Sequence, residues 1–286
     1  MDYTEYSVKV GEKNDFYYAL FSDLHVDAPS FAKSLFISDA EKYKALGARF
    51  FFNGDTFDAI LPTDRKRYSR GNDEVNEDAQ INARIDIVVK LLKPYVDNID
   101  FIGIGNHEVS AVKYDSVDLI KMLVAELSKY RDPKLPPIQR GSYQGFLRIW
   151  FRPENGHSTR QYVIYREHGK GGNSPVTKGT IGIQRLHTTF LADLYWVGHS
   201  HNDLTDKAWT IFPDTSGKII KRRKRSVITG GYNEGFVQRN LKDDVYYRSS
   251  FPEEKFLIPT SLGSALLHIT VPKGHNTSEV QAEIIS

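Results

Sequence analysis

In the first half of the chain, short apolar runs alternate with segments whose apolar residues recur every three or four positions. FYYALFSD (16–23) is apolar and aromatic before it ends in polar residues, the pattern of a buried strand. SFAKSLFISDAEKYKALG (30–47) has helical spacing, with Ser30 as candidate N-cap and Gly47 as the stop. ARFFFNGD (48–55) predicts a second buried strand, AQINARIDIVVKLLKPY (79–95) a second helix, IDFIGIGN (99–106) a third strand and DSVDLIKMLVAELSKY (115–130) a third helix. Strands separated by helices need crossover connections, so this half predicts a largely parallel sheet.

The second half is richer in strands. FLRIWF (146–151), RQYVIYREH (160–168), LYWVGHS (194–200), KAWTIF (207–212), KIIKRRKRSVITG (218–230), ALLHITV (265–271) and VQAEIIS (280–286) all read so. Only TIGIQRLHTTFLAD (180–193) has helical spacing among them. A second sheet packed on the first is expected, giving one α/β domain over residues 1–286, a two-sheet sandwich with a β-rich C-terminal part from about residue 205. The polar stretch of mixed charge at about 62–80 interrupts the pattern as a long loop, and loops of that length in compact domains are functional or disordered.

Composition narrows the chemistry. The chain has 286 residues, 40% hydrophobic and 26% charged, with a net charge of +2, so it is no polyelectrolyte binder as a whole. It has no cysteine, which excludes disulfides, thiolate zinc sites and cysteine nucleophiles together. The first residues lack the apolar core of a signal peptide, and no apolar run approaches the ~18 residues of a membrane span. A soluble, cytoplasmic protein with no membrane association and no obligate protein partner is the expectation.

What changes the picture is where the chemistry-bearing residues fall. The first strand runs into Asp23 and His25, two residues apart and so on one face of an extended segment; the second into Asp55 and Asp58; the third into Asn106, His107 and Glu108. The strand at 160–168 ends in His168, and the next is followed by His199 and His201. In open α/β sheets ligands bind beyond the carboxyl ends of strands. Five of the nine histidines occupy such positions, together with oxygen donors, as a metal site there would require. His157, His187, His268 and His275 fall outside the pattern and read as structural.

Asp23-x-His25, Gly54-Asp55-x-x-Asp58, Gly105-Asn106-His107-Glu108, His168 and Gly198-His199-x-His201 resemble, in order and spacing, the motif set of the calcineurin-like metallophosphoesterases, over about three-fifths of the chain. The resemblance implies an αββα sandwich, two sheets flanked by helices, and hydrolysis of a phosphate ester at two divalent ions. It implies that Asp23, His25 and His201 hold one ion, that Asn106, His168 and His199 hold the other, and that Asp55 bridges them. A hydroxide between the ions would attack phosphorus in line, with the ions clamping the ester. His107 would face the substrate, oriented and charged by Asp58, and Glu108 would support the ligands. A mixed oxygen and nitrogen shell suits manganese, the first choice, or iron, nickel or zinc.

Substrate choice lives in loops. Ala59 stands where the protein serine/threonine phosphatases of this superfamily carry arginine, which argues against a phosphoprotein. A phosphodiester, nucleotide or nucleic-acid substrate is the leading expectation; alternatives are a phosphomonoesterase on small metabolites, a DNA-repair-type nuclease, and a non-catalytic scaffold. Arg65, Arg67 and Arg70 are candidate phosphate contacts at the mouth of the site. The run Lys221–Arg225 reads as a solvated hairpin strand or a nucleic-acid contact, Tyr232 and Phe236 as core or base-stacking residues, and the glycines after His168 as a flexible loop or a close approach for substrate.

Overall fold

The apolar runs fold into two six-stranded sheets whose facing sides make one of the cores. The computed structural model describes residues 1–11, 14–59, 80–154, 159–169, 177, 179–236, 259, 261–272 and 280–285. The first sheet contains β1 (Asp2–Val10), β6 (Gln144–Pro153), β7 (Arg160–Glu167), β8 (Leu194–Val197), β10 (Ile219–Ile228) and β9 (Leu204–Pro213), in that order. The second runs β12 (Gln281–Ile285), β11 (Ala265–Thr270), β2 (Asp15–Phe21), β3 (Arg49–Phe52), β4 (Ile99–Ile102) and β5 (Gln139–Arg140). Strands β2 to β5 are parallel neighbours, as are β7, β8 and β10.

Alternation along each strand assigns residues to layers. Tyr18, Leu20 and Phe51 point between the sheets with Ile164, Leu194, Trp196 and Val227. Their neighbours Ala19, Phe21, Phe50 and Phe52 point the other way, against α1 (Lys33–Ala45), α2 (Gln80–Leu92) and α4 (Leu119–Ser128). Both faces of these strands are buried, which is why they read as unbroken apolar runs. On the far side, α5 (Thr180–Thr189) covers Val163, Tyr165 and Tyr195. The chain is therefore a mixed α/β two-sheet sandwich with helices on its faces. No helix among the described residues is long and apolar enough to cross a membrane.

Several boundaries depart from expectation for identifiable reasons. Strand β1 alternates tightly between half-buried and exposed positions on the sheet edge, so its polar residues hide a nine-residue strand. Ser30 does not cap α1: Phe31 bridges to Asn233 and the Ala32 N–H binds the Tyr232 carbonyl, so the helix starts at Lys33. Pro94 turns the end of α2 into a single 3-10 turn at Lys93–Tyr95. The expected third helix is α4, and an unexpected helix, α3 (Asn106–Asp115), precedes it from the end of the third strand; the two are separated at Ser116, whose φ is +58°.

Candidate metal centre

Strands β2, β3, β4, β7 and β8 end at one edge of the sandwich, and the residues that follow them converge there. The short loops cross-link through the backbone: Asp23 N–H donates to the Gly54 carbonyl, His25 N–H to that of Asp55, and Gly198 N–H to that of His168. Gly54 and Gly105 make this close approach feasible. Gly54 has φ +88°, and a Cβ on it would lie 2.6 Å from the Gly105 Cα; one on Gly105 would collide with the Asp55 carboxylate.

Three donor groups result: Asp23, His25 and His201; His25, Asp55 and His107; and Asp55, His168 and His199. In each, one ligand atom per residue lies within 4.8 Å of the others. Asp55 Oδ2 is 3.0 Å from His168 Nε2 and 3.9 Å from His25 Nε2, between the two ends of the cluster. The amide oxygen of Asn106 is 3.1 Å from His168 Nε2.

The backbone is strained where the donors sit. Of seven non-glycine residues with positive φ among the described residues, five are Asp23, His25, Asp55, His199 and His201. Asp23 and His25 thus do not share a face of an extended segment; each turns separately in the left-handed region and still reaches His201. Such a conformation costs of order 1 kcal/mol per residue and clusters at functional sites.

Hydrogen bonding fixes which atoms face inward. Ser22 Oγ and the His199 N–H both donate to Asp23 Oδ2, while Oδ1, fully buried, has no hydrogen-bond partner among the described residues and lies 3.4 Å from His201 Nε2. The His168 Nδ1 is 2.8 Å from the Asn53 carbonyl, which can only accept, so Nδ1 carries the proton and Nε2 is left as donor atom for a ligand. His25 has the same arrangement, its Nδ1 3.1 Å from Asp58 Oδ1 and its Nε2 facing Asp55. An outer carboxylate or carbonyl behind each imidazole is how metal-binding histidines are held. The unsatisfied Asp23 oxygen, two inward Nε2 atoms and the mixed oxygen and nitrogen set together fit divalent cations.

Charge tells the same story. Burial, the largest single influence, raises the Asp23 and Asp55 carboxyls, but the surrounding imidazoles together outweigh it: His168 and His201 for Asp23, and His168, His107 and His25 for Asp55, so each stays below the usual carboxylate range. Burial alone would lower His25 and His168. Against it, the hydrogen bond to Asp58 together with the charges of Asp55, Asp58 and Asp23 raises His25 to about 9, and the Asp55 and Asp23 carboxylates raise His168 to about 10. The cluster is thus a buried negative field that demands positive charge. Burial and the neighbouring His168 lower His199.

His107 is half-buried at the first turn of α3. Its N–H donates to Asp55 Oδ1 at 2.9 Å, and its Nδ1 donates to the Asp58 carbonyl oxygen. The Asp58 carboxylate lies 3.5 Å from that same Nδ1 but 3.1 Å from His25, so it serves two imidazoles rather than His107 alone. Glu108, buried, accepts from the N–H groups of Asp55, Phe57 and Gly105, tying the loop after β3 to the start of α3. Burial and Asp55 raise its carboxyl to about 7, against the pull of those N–H groups.

Two residues escape sequence reading. Asp27, fully buried, accepts from the N–H groups of Asp58 and Ala59 and from Arg84 on α2, a fully buried ion pair. The signals were weak: Asp27 continues the spacing of Asp23 and His25, and Arg84 falls one helical turn before the apolar Val88. Arg65, Arg67, Arg70, His157, His275 and most of the 62–80 stretch lie outside the described residues. Tyr232 is core, its hydroxyl on Asp39 and Ser264, while Phe236 is exposed. His187 bonds Ser226 and His268 bonds Asp15.

No family model matches the chain, and no curated protein matches it. Among solved structures it is similar to GAP50, the anchor in the inner membrane complex of Plasmodium, at 10% identity and a TM-score of 0.42, covering 96% of this chain and 85% of that one. It is also similar to a metallophosphoesterase from Sphaerobacter thermophilus, at 13% identity and a TM-score of 0.31, covering 76% of this chain and 77% of that one. Overlaps this loose say nothing about chemistry, and the functional reading rests on the residues.

Proposed function

We propose that the chain is a metal-dependent phosphoesterase, a hydrolase acting on a phosphodiester or nucleotide at two divalent ions, manganese first among the candidates. The observation that carries this reading is Asp55: its carboxylate lies between His25 and His168, where it would be a shared ligand for two ions, beside an Asp23 oxygen with no hydrogen-bond partner among the described residues. Asp23, His25 and His201 would hold one ion, and Asn106, His168 and His199 the other. Bound there, the ions would supply charge to offset the ester oxygens and an activated water.

The chain's own groups do the rest. Asn106 contributes a neutral oxygen, which keeps the cluster less negative than a third carboxylate would. His107, with its Nδ1 proton held by the Asp58 carbonyl, would use Nε2 to protonate the departing oxygen or stabilise its charge. Asp58 holds His25 and His107 together, and Asp27 holds the backbone of Asp58. Arg65, Arg67 and Arg70 are assigned as phosphate contacts.

Initial rates on bis-p-nitrophenyl phosphate and p-nitrophenyl phosphate, with added Mn²⁺ and an Asp55→Ala control, test the reading. Faster turnover of the diester supports it. Faster turnover of the monoester would replace it with a phosphomonoesterase acting on small metabolites. Rates no higher than the Asp55→Ala control on either compound would overturn it.

A further inference from the structure

The basic run after residue 220 divides between the two faces of one hairpin. Register places Arg223 opposite Trp209 and Lys221 opposite Ile211 across β9 and β10, and directly opposed residues share a face. Arg222 and Lys224 lie on the other face, tied to Asp193 and to the His187 carbonyl. The first face continues the side that carries Val227 into the core between the sheets. Towards the hairpin tip that side emerges into solvent: Trp209, Ile211 and Ile219 are 54%, 61% and 63% exposed. Lys207, Lys221 and Arg223 are exposed around them, and neither strand carries an acidic residue on this face.

An exposed aromatic flanked by three cations and no acid is matched by a polyanion with flat, stackable groups. We propose that this face binds single-stranded nucleic acid, with backbone phosphates on Lys207, Lys221 and Arg223 and a base stacked against the Trp209–Arg223 pair. The Arg223 guanidinium already lies 4.7 Å from the Trp209 ring centre, a stack that a base can extend. A second copy of this chain is a poor occupant, because a two-fold pairing sets these cations against their own duplicates.

The hairpin also leads to the candidate metal centre. Strand β9 starts three residues after His201, and Thr229, the residue after β10, bonds Ser22 beside Asp23. At ~3.3 Å per residue, Trp209 lies roughly 17 Å along the strand from Leu204, within the span of a few nucleotides. A strand seated on the face would enter the site at its near end. This inference rests on the phosphoesterase reading for its substrate, but the face can be tested without catalysis.

The experiment is fluorescence anisotropy of a labelled fifteen-nucleotide oligothymidylate with the full chain in EDTA, over a series of salt concentrations. Three phosphate contacts predict a slope of log K against log salt of about −2. Trp209→Ala, an exposed position outside the core, should weaken binding roughly five- to a hundredfold. Lys221→Glu with Arg223→Glu should weaken it more than tenfold and flatten the slope. All these variants should turn over bis-p-nitrophenyl phosphate at the unaltered rate. Absence of binding, wild-type binding by the variants, equal affinity for a duplex, or equal competition by polyglutamate would each overturn the assignment. The two readings fail separately. Oligonucleotide binding without turnover of any ester would remove the phosphoesterase and keep the face; diester turnover without oligonucleotide binding would do the reverse.

Discussion

Arg84 and Asp27 meet with both side chains fully buried, 57 positions apart in sequence, and Arg84→Met should expose how much the site depends on them. The substitution keeps the length and apolar stem of the side chain, so little cavity is created. What it removes is the only side-chain cation bonded to Asp27 among the described residues. The Asp27 carboxylate keeps the N–H groups of Asp58 and Ala59 but loses its charge partner in a dry environment. Breaking a buried pair on one side costs about 3–5 kcal/mol. Because Asp27 positions the Asp58 backbone, whose carbonyl holds His107, turnover should fall as well as stability. Urea unfolding followed by circular dichroism reads the first effect and diester hydrolysis the second. At m near 3 kcal/mol per molar, the top of the usual small-protein range, the midpoint should drop by about 1 M or more. Arg84→Lys should recover part of both. The double variant Asp27→Asn with Arg84→Met should cost less than the sum of its parts, since it leaves no buried charge. A loss below about 1 kcal/mol in Arg84→Met, with unchanged turnover, would refute the reasoning.

Other consequences are open to direct measurement. His107→Ala should leave metal content intact and reduce turnover about 10²- to 10⁴-fold; unchanged turnover would remove it from catalysis. His25 and His168 are raised to about 9 and about 10, so at pH 7.5 both hold protons that cation binding must expel. Their positive charge is present below these values and lost above them, so apparent Mn²⁺ affinity should rise with pH through the neutral range. Calorimetry in buffers of different ionisation enthalpy should show proton release, and its absence would contradict the placement of these imidazoles. Gly105→Ala sets a methyl against the Asp55 carboxylate and its N–H. It should lower metal content, measured by atomic emission, with β-sheet circular dichroism retained; full metal content would show that the approach is looser than the structure indicates.

The residues gathered at the site were visible in sequence because each stands immediately after an apolar run, where a parallel strand delivers it to the sheet edge. Asp23, Asp55, Asn106 and His168 needed no knowledge of the fold beyond that. How the backbone turns there was not visible. Asp23 and His25 read as extended neighbours, but both are left-handed, with their own N–H groups donating to the carbonyls of Gly54 and Asp55. Long-range partners explain the other differences. Ser30 has the right chemistry for a cap but loses the position to contacts with Tyr232 and Asn233, some two hundred residues away. Strand β1 was hidden because an edge strand exposes every second residue and looks polar. Asn106 was expected at a strand end and opens a helix instead, with Glu108 reaching back to the N–H of Gly105. Asp27 and Arg84 are ordinary residues in sequence and become a buried pair only when α2 packs beside the loop after β2.

The central claim is that Asp55 serves two ions at once, and a Mn²⁺ titration monitored by calorimetry tests it most directly. Wild-type chain should take up two equivalents, Asp23→Asn should weaken one of them, and Asp55→Ala should weaken both together. Two full-affinity equivalents in Asp55→Ala would contradict it.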